Sequence, residues 1–453
     1  FYSWQLMKGL GYKYDPMLHG PFQFHANALM MFLFGPTNTS ARLTAVVCGT
    51  GIVVATWWLR PYLGKLGAFI AAFLFTISPS FLYFSRFTRE DIYVTFFTFL
   101  MVVGMFGFLH WHKPRFLYLL FAGTALAFAT KESTFITLFI FGSFLILVLA
   151  WENAYRLPLL KNLLAGSSVW RTDGLVTDRL LAVTRPQWIT ASVWFAVITV
   201  LLFTTFLTNR HGLQDAFTAS ITYWLGQQGI ARGDQPGYYY ALLLPAYETI
   251  PVIFGIISMV FFVFRRWAIA AGAFVVAMAE VLAVVNGHSG ELPLLAVTGL
   301  VLGLGATFLG LSKGRLFATF LTYWSILAFI AYSWAGEKMP WLILQMALPL
   351  LLTAALFLGE LLSARHWTNW RWAAFAGSAV LVLYAVHVDW PLAYQRGDIP
   401  LDPLIYTQTS PQVVTAVNQI DALSNQLTGG KDVKILMDTA SEWPFYWYLR
   451  DYK

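Results

Sequence analysis

Ser85-Arg86-Phe87-Thr88-Arg89-Glu90-Asp91 joins two apolar runs, 66–84 and 92–109, each long enough to cross a bilayer as a helix. The stretch brings four ionisable side chains to one point of an otherwise apolar region. A charge at the bilayer centre costs roughly 2.5–3.5 kcal/mol on insertion scales, so four together belong at a helix end, at the membrane surface. Two arginines there offer planar donors to a phosphate, and the adjacent acid pair can hold a metal, a hydroxyl or a proton. A plain polar turn between spans would also have this composition, and the stretch alone does not decide between the two.

The rest of the chain supports the membrane reading. Of 453 residues 58% are hydrophobic and 11% charged, against about a quarter charged in a soluble domain. The formal net charge of +7 is no nucleic-acid footprint, because the basic residues sit in short loops between apolar runs, where they set orientation. With Cys48 as the single cysteine, neither an internal disulfide nor a cysteine-based metal cluster can form.

Apolar runs occur near 41–59, 66–84, 92–109, 116–130, 134–151, 188–207, 250–264, 268–286, 292–311, 316–333, 341–358 and 372–388. The expected fold is an all-α polytopic membrane protein with about twelve spans. Positive-inside counting puts the loops with Arg60 and Lys65, Lys113 and Arg115, Arg265 and Arg266, and Lys313 and Arg315 in the cytoplasm, together with the long loop 152–187. Loops 1–39 and 208–249 then lie outside. The transmembrane domain covers 1–388, and 389–453 is an external segment of different character. There Ser410-Pro411 opens a helical repeat closed by Gly429-Gly430, and a β-like run follows at 433–437, which reads as the start of a small α/β domain that is cut short. The glycines 299, 303, 305 and 310 superficially suggest a dinucleotide loop, but no strand precedes them, and close helix packing is the expectation.

Five loops share the expected external face: 12–21, 85–93, 129–133, 232–240 and 336–341. Each combines a charge with Pro, Gly or aromatic residues at a helix end. Together they predict a cavity at the outer membrane boundary, because buried polar groups there need partners.

The combination of Tyr14-Asp15-Pro16, His19-Gly20-Pro21, Ala41-Arg42-Leu43, Ser85-Arg86 with Arg89 and Asp91, Thr130-Lys131-Glu132, and Gly336-Glu337-Lys338-Met339-Pro340-Trp341 resembles the GT-C membrane glycosyltransferases that use polyprenyl-phosphate sugars. The likeness is to the protein O-mannosyltransferase and aminoarabinose-transferase branch, and within it to a prokaryotic flippase-associated group. It implies sugar transfer from a polyprenyl-phosphate carrier to an acceptor protein, glycan or lipid at the external face of the cytoplasmic membrane. It implies substrate contacts from His19, Arg86, Arg89, Lys131, Glu132, Arg232, Glu337 and Lys338, packing by Tyr239, Tyr240 and Trp341, and acids at Asp15, Glu90 and Asp91. The family's principal catalytic Asp follows its first span, which the resemblance would place before Phe1 as a thirteenth span. Oligosaccharyltransferases of the superfamily bind a divalent metal near the equivalent of 85–91, which leaves a divalent cation near Glu90 and Asp91 open. A lipid-linked-sugar flippase and an inactive structural subunit of a membrane complex are the competing readings.

Overall fold

The computed structural model describes residues 1–154, 175–227, 235–264, 292–311, 314–364, 368–439 and 442–452. These residues are helical, with no strand among them. Seven helical segments are long and apolar enough to cross a membrane: Ser40–Ile77, Glu90–Trp111, Thr134–Ala154, Arg185–Phe203, Leu316–Trp334, Pro340–Ser363 and Phe375–Gln395. An eighth span forms if Tyr239–Tyr247 and Thr249–Phe262, bent by 106°, act as one broken crossing. The first segment is itself interrupted at Gly64, whose φ of 74° and ψ of 164° only glycine adopts readily, so the runs expected at 41–59 and 66–84 are separate rods. The run 116–130 becomes the shorter helix Pro114–Phe128, while the run 268–286, most of loop 152–187 and Arg232 lie outside the described residues.

Local signals set the helix starts. Pro79 follows Ser78, whose Oγ accepts from the Phe81 amide at 3.3 Å, and Pro114 opens its helix at the position where a missing N–H does no harm. Packing then depends on small residues, since lipid supplies no hydrophobic force between helices. A Cβ on Gly359 would stand 2.5 Å from the Gly67 Cα, which is how Pro340–Ser363 comes against Arg60–Ile77. Gly299 and Gly310 meet Ile330 and Thr319 in the same way, so that glycine series serves helix packing, as expected.

Helix Pro340–Ser363 is the axis of the core. It runs between Arg60–Ile77, Thr249–Met259 and Leu316–Trp334, and Gln345 on it donates to Thr95 Oγ1 on Glu90–Trp111 at 2.7 Å, both side chains buried. Helix Glu90–Trp111 begins with the acids and ends before Lys113, so connectivity puts the loop with Lys113 and Arg115 at the opposite end of that helix from Arg89.

The tail departs from its expected form. Pro411–Thr428 is a helix closed by Gly429 in the left-handed region, as the sequence predicts. The run 433–437 is not a strand, because among the described residues no second strand lies beside it to complete a ladder. The chain instead returns through Glu442–Tyr448 to the first loop, where Trp447 Nε1 donates to Asn38 Oδ1 at 2.6 Å and Arg450 donates to Pro36 O at 2.7 Å.

Candidate functional site

The first loop is pinned to the 129–132 turn by its backbone. Gly20 N–H donates to Thr130 O at 3.0 Å and Phe22 N–H to Ala129 O at 2.9 Å. A Cβ at position 20 would fall 2.1 Å from Ala129 O, so this approach requires glycine. His19, with φ of 62°, is thereby presented to Glu132: its Nδ1 lies 2.8 Å from Glu132 Oε2 and its ring stacks on Trp224 at 4.7 Å. Ser220 Oγ donates to the other Glu132 oxygen at 3.3 Å, so the carboxylate is fixed from both sides.

Next to this turn stands a charged cluster. Asp91, fully buried in the first turn of its helix, accepts from Lys131 Nζ at 2.7 Å and has Arg89 Nε at 3.4 Å from its other oxygen. The guanidinium carbon of Arg89 lies 3.3 Å from the centroid of the buried Trp341 ring. An acid in the first turn suits the helix dipole. One carboxylate between two cations leaves this trio with one positive charge of its own, beside the carboxylates of Glu90, Glu132 and Glu337. Glu90, also buried, makes no salt bridge among the described residues and lines a cavity.

Two cavities meet here. The smaller, about 340 Å³, has His19, Lys131 and Glu132 at one side and an apolar wall of Phe135, Ile136, Ile221, Trp224, Leu225 and Leu342. The larger, about 640 Å³, is bounded by the first loop, by Arg42, Arg89 and Glu90, and by the returning tail. His19 and Glu337 border both.

The structure thus brings together His19, Arg89, Glu90, Asp91, Lys131, Glu132, Glu337 and Trp341, and separates others. Arg86 turns away from Asp91 and lines a third cavity, donating to Ala393 O with its guanidinium 4.5 Å from the Tyr394 ring centroid, because the tail supplies an acceptor and an aromatic face that Asp91 does not offer on that side. Asp15 is exposed and caps the start of the turn Pro16–Leu18 through the Met17 amide at 2.9 Å, so its carboxylate serves local structure outside both cavities. Tyr240 is wholly buried: its hydroxyl donates to Met339 O at 2.8 Å and accepts from Met339 N–H at 2.9 Å, which locks loop 336–341 and leaves no face for a sugar. Tyr239 stacks edge-on against it and borders neither cavity. Lys338 folds back to donate to Ala335 O at 2.8 Å, and burial lowers its pKa below the usual lysine value. Trp224, Gln23 and Asn27 were not among the expected residues. Only Trp224, in an aromatic loop near a helix end, carried a sequence signal.

A divalent cation near Glu90 and Asp91 does not suit these donors. Both Asp91 oxygens face cations, and among the described residues no three His, Cys, Asp or Glu side chains gather as a metal set.

Fold and site define a multi-pass helical membrane protein with an Arg89–Asp91–Lys131 cluster and two cavities that share His19 and Glu337. Residues 18–167 match the family model described as dolichyl-phosphate-mannose-protein mannosyltransferase, a GT-C family, and the matched stretch contains His19, Arg86, Arg89, Glu90, Asp91, Lys131 and Glu132. Among solved structures, the apo crystal structure of ArnT from Cupriavidus metallidurans is similar at 14% identity and a TM-score of 0.48, with 99% of this chain and 78% of that one covered. No curated protein sequence matches the chain.

Proposed function

We propose that the chain is an integral-membrane glycosyltransferase that moves a sugar from a polyprenyl-phosphate carrier to an acceptor on the external side of the cytoplasmic membrane. The observation that carries this reading is the placement of Arg89, Lys131 and His19 where an apolar-walled cavity meets a polar one. The prenyl chain lies along the apolar wall with its phosphate at Arg89 and Lys131. The acceptor enters from the polar side. Glu90 takes the proton from an acceptor hydroxyl as that oxygen bonds to the anomeric carbon, and the bond from that carbon to the phosphate oxygen breaks with its electron pair. A single displacement inverts the anomeric centre. Arg89 and Lys131 stabilise the negative charge gathering on the departing polyprenyl phosphate, in a site where a low dielectric strengthens the effect. Asp91, already between two cations, positions them and takes no proton.

The family match over 18–167 supports this reading. The test is reconstitution of the chain in liposomes with a radiolabelled polyprenyl-phosphate hexose, following release of polyprenyl phosphate. Wild type should release it. Glu90→Gln should lower turnover at least about a hundredfold, the range of a general base, with donor binding retained. Carrier translocation without cleavage of the sugar–phosphate bond would overturn the proposal in favour of a flippase.

A further inference from the structure

The two cavities differ in what they offer. The larger one is walled by the faces and edges of Trp443, Trp447 and Tyr448 from the tail, opposite Gln23 and Asn27 of helix Phe22–Phe34. Asn27 is 2% exposed with its amide against the Tyr93 hydroxyl, and the buried Gln23 Oε1 has no hydrogen-bond partner. A buried amide oxygen without a donor is costly to keep, so Gln23 beside Asn27 in the lining marks a place where a ligand with O–H groups is accommodated. Trp443, by contrast, is half exposed and makes only ring contacts, with Phe1, Tyr2 and Tyr446.

We propose that this larger cavity is the acceptor site and that its acceptor is a carbohydrate; the inference rests on the glycosyltransferase reading above. A pyranose has two chemically distinct surfaces, a face of C–H groups and a rim of hydroxyls. Indole and phenol rings take the first, and amide oxygens and a carboxylate take the second. The carboxylate is Glu90, which lines the same cavity and so meets the acceptor hydroxyl that it deprotonates. A lipid acceptor would be better matched by the apolar wall of the smaller cavity. The volume of about 640 Å³ falls within the usual range for small-ligand pockets and suits a short oligosaccharide.

The experiment is saturation-transfer NMR on the full chain in nanodiscs with three probes: short gluco-, manno- and chito-oligosaccharides, a peptide rich in Ser, Thr and Asn, and geranylgeranyl phosphate for the donor side. At least one oligosaccharide should bind, with transfer from aromatic protons. Trp443→Ala should weaken it about tenfold, the loss expected of one aromatic anchor. Gln23→Leu, distant from the tail contacts, should weaken it as well, while geranylgeranyl phosphate binds both variants as it binds wild type. The proposal is overturned if no oligosaccharide binds while the prenyl phosphate does, if saccharide binding is indifferent to both substitutions, or if the peptide alone binds and depends on Trp443. Oligosaccharide binding without prenyl-phosphate binding would instead sink the glycosyltransferase reading and leave the carbohydrate site standing.

Discussion

Replacing Lys131 by Met should destabilise the protein mainly through what it does to Asp91. The pair is 2.7 Å long, Asp91 is fully buried and Lys131 nearly so. Breaking a buried pair from one side costs about 3–5 kcal/mol, because the remaining charge keeps its desolvation without its partner. Here Arg89 stays 3.4 Å from the other Asp91 oxygen, which puts the expected loss at the lower end, about 3 kcal/mol. Asp91→Asn alone should cost a similar amount, since it leaves Lys131 and Arg89 facing each other without the anion between them. The double variant Asp91→Asn, Lys131→Met removes both charges and should recover most of the loss, giving a coupling of at least about 2 kcal/mol. Unfolding in mixed detergent–SDS micelles, followed by tryptophan fluorescence, measures all three. Donor binding supplies the functional half: it should fall in Lys131→Met and stay low in the double variant, because stability returns but the phosphate-binding ammonium does not. Single losses that simply add, or a double variant that regains donor binding, would refute the claim that one lysine both neutralises Asp91 and meets the phosphate.

Arg89→Lys should weaken donor binding about tenfold, since a point charge replaces a planar fork braced on Trp341, whereas Arg86→Lys should leave it unchanged and increase proteolysis of the tail, which Arg86 holds through Ala393 and Tyr394; isothermal titration and limited digestion separate the two. Gly20→Ala drives a methyl into Ala129 O and should cost more than about 2 kcal/mol in the same unfolding assay, with loss of the His19–Glu132 contact visible in the histidine NMR spectrum. Burial lowers the Lys338 pKa below 10.5, so in the interval between the folded value and 10.5 the unfolded chain holds more protons. The destabilising contribution is therefore fully present below the folded value and is relieved as pH rises towards 10.5. Stability should climb through that window in wild type and lose this component in Lys338→Met, as measured by unfolding at a series of alkaline pH values.

The helical membrane architecture was legible because hydropathy reports span length directly, and every expected run within the described residues falls on a helix. The meeting of segments 12–21, 85–91, 129–132 and 336–341 could be anticipated from their shared face and mixed charge. Individual side-chain partners could not. Arg86 and Arg89 are three residues apart with the same chemistry, yet one answers the tail and the other Trp341, and only the distant partners distinguish them. Tyr240 looked like a sugar platform because aromatic residues in a loop do, but burial turned its hydroxyl into a clasp for Met339. Run 433–437 had strand composition without a strand partner, a property of the whole chain that local composition does not contain. Asn27 and Gln23 lie in an apolar helix where their spacing resembles an ordinary polar stripe.

The near part of the tail is rooted in the helical core through the buried Leu392, Leu404 and Ile405, with Gly397 O receiving the Tyr83 hydroxyl and Ala393 O the Arg86 guanidinium, and the far end returns through Trp447 to Asn38 and through Arg450 to Pro36. Between these moorings it contributes one wall of the larger cavity and none of the smaller. Residues 411–452, beyond the core-buried Leu392, Leu404 and Ile405, are in that sense the exchangeable part of the tail. A graft that preserves the moorings can rewrite one wall without disturbing Arg89, Asp91 or Lys131, so divergence in this segment can alter one ligand while the chemistry at the other end of the same cleft stays fixed.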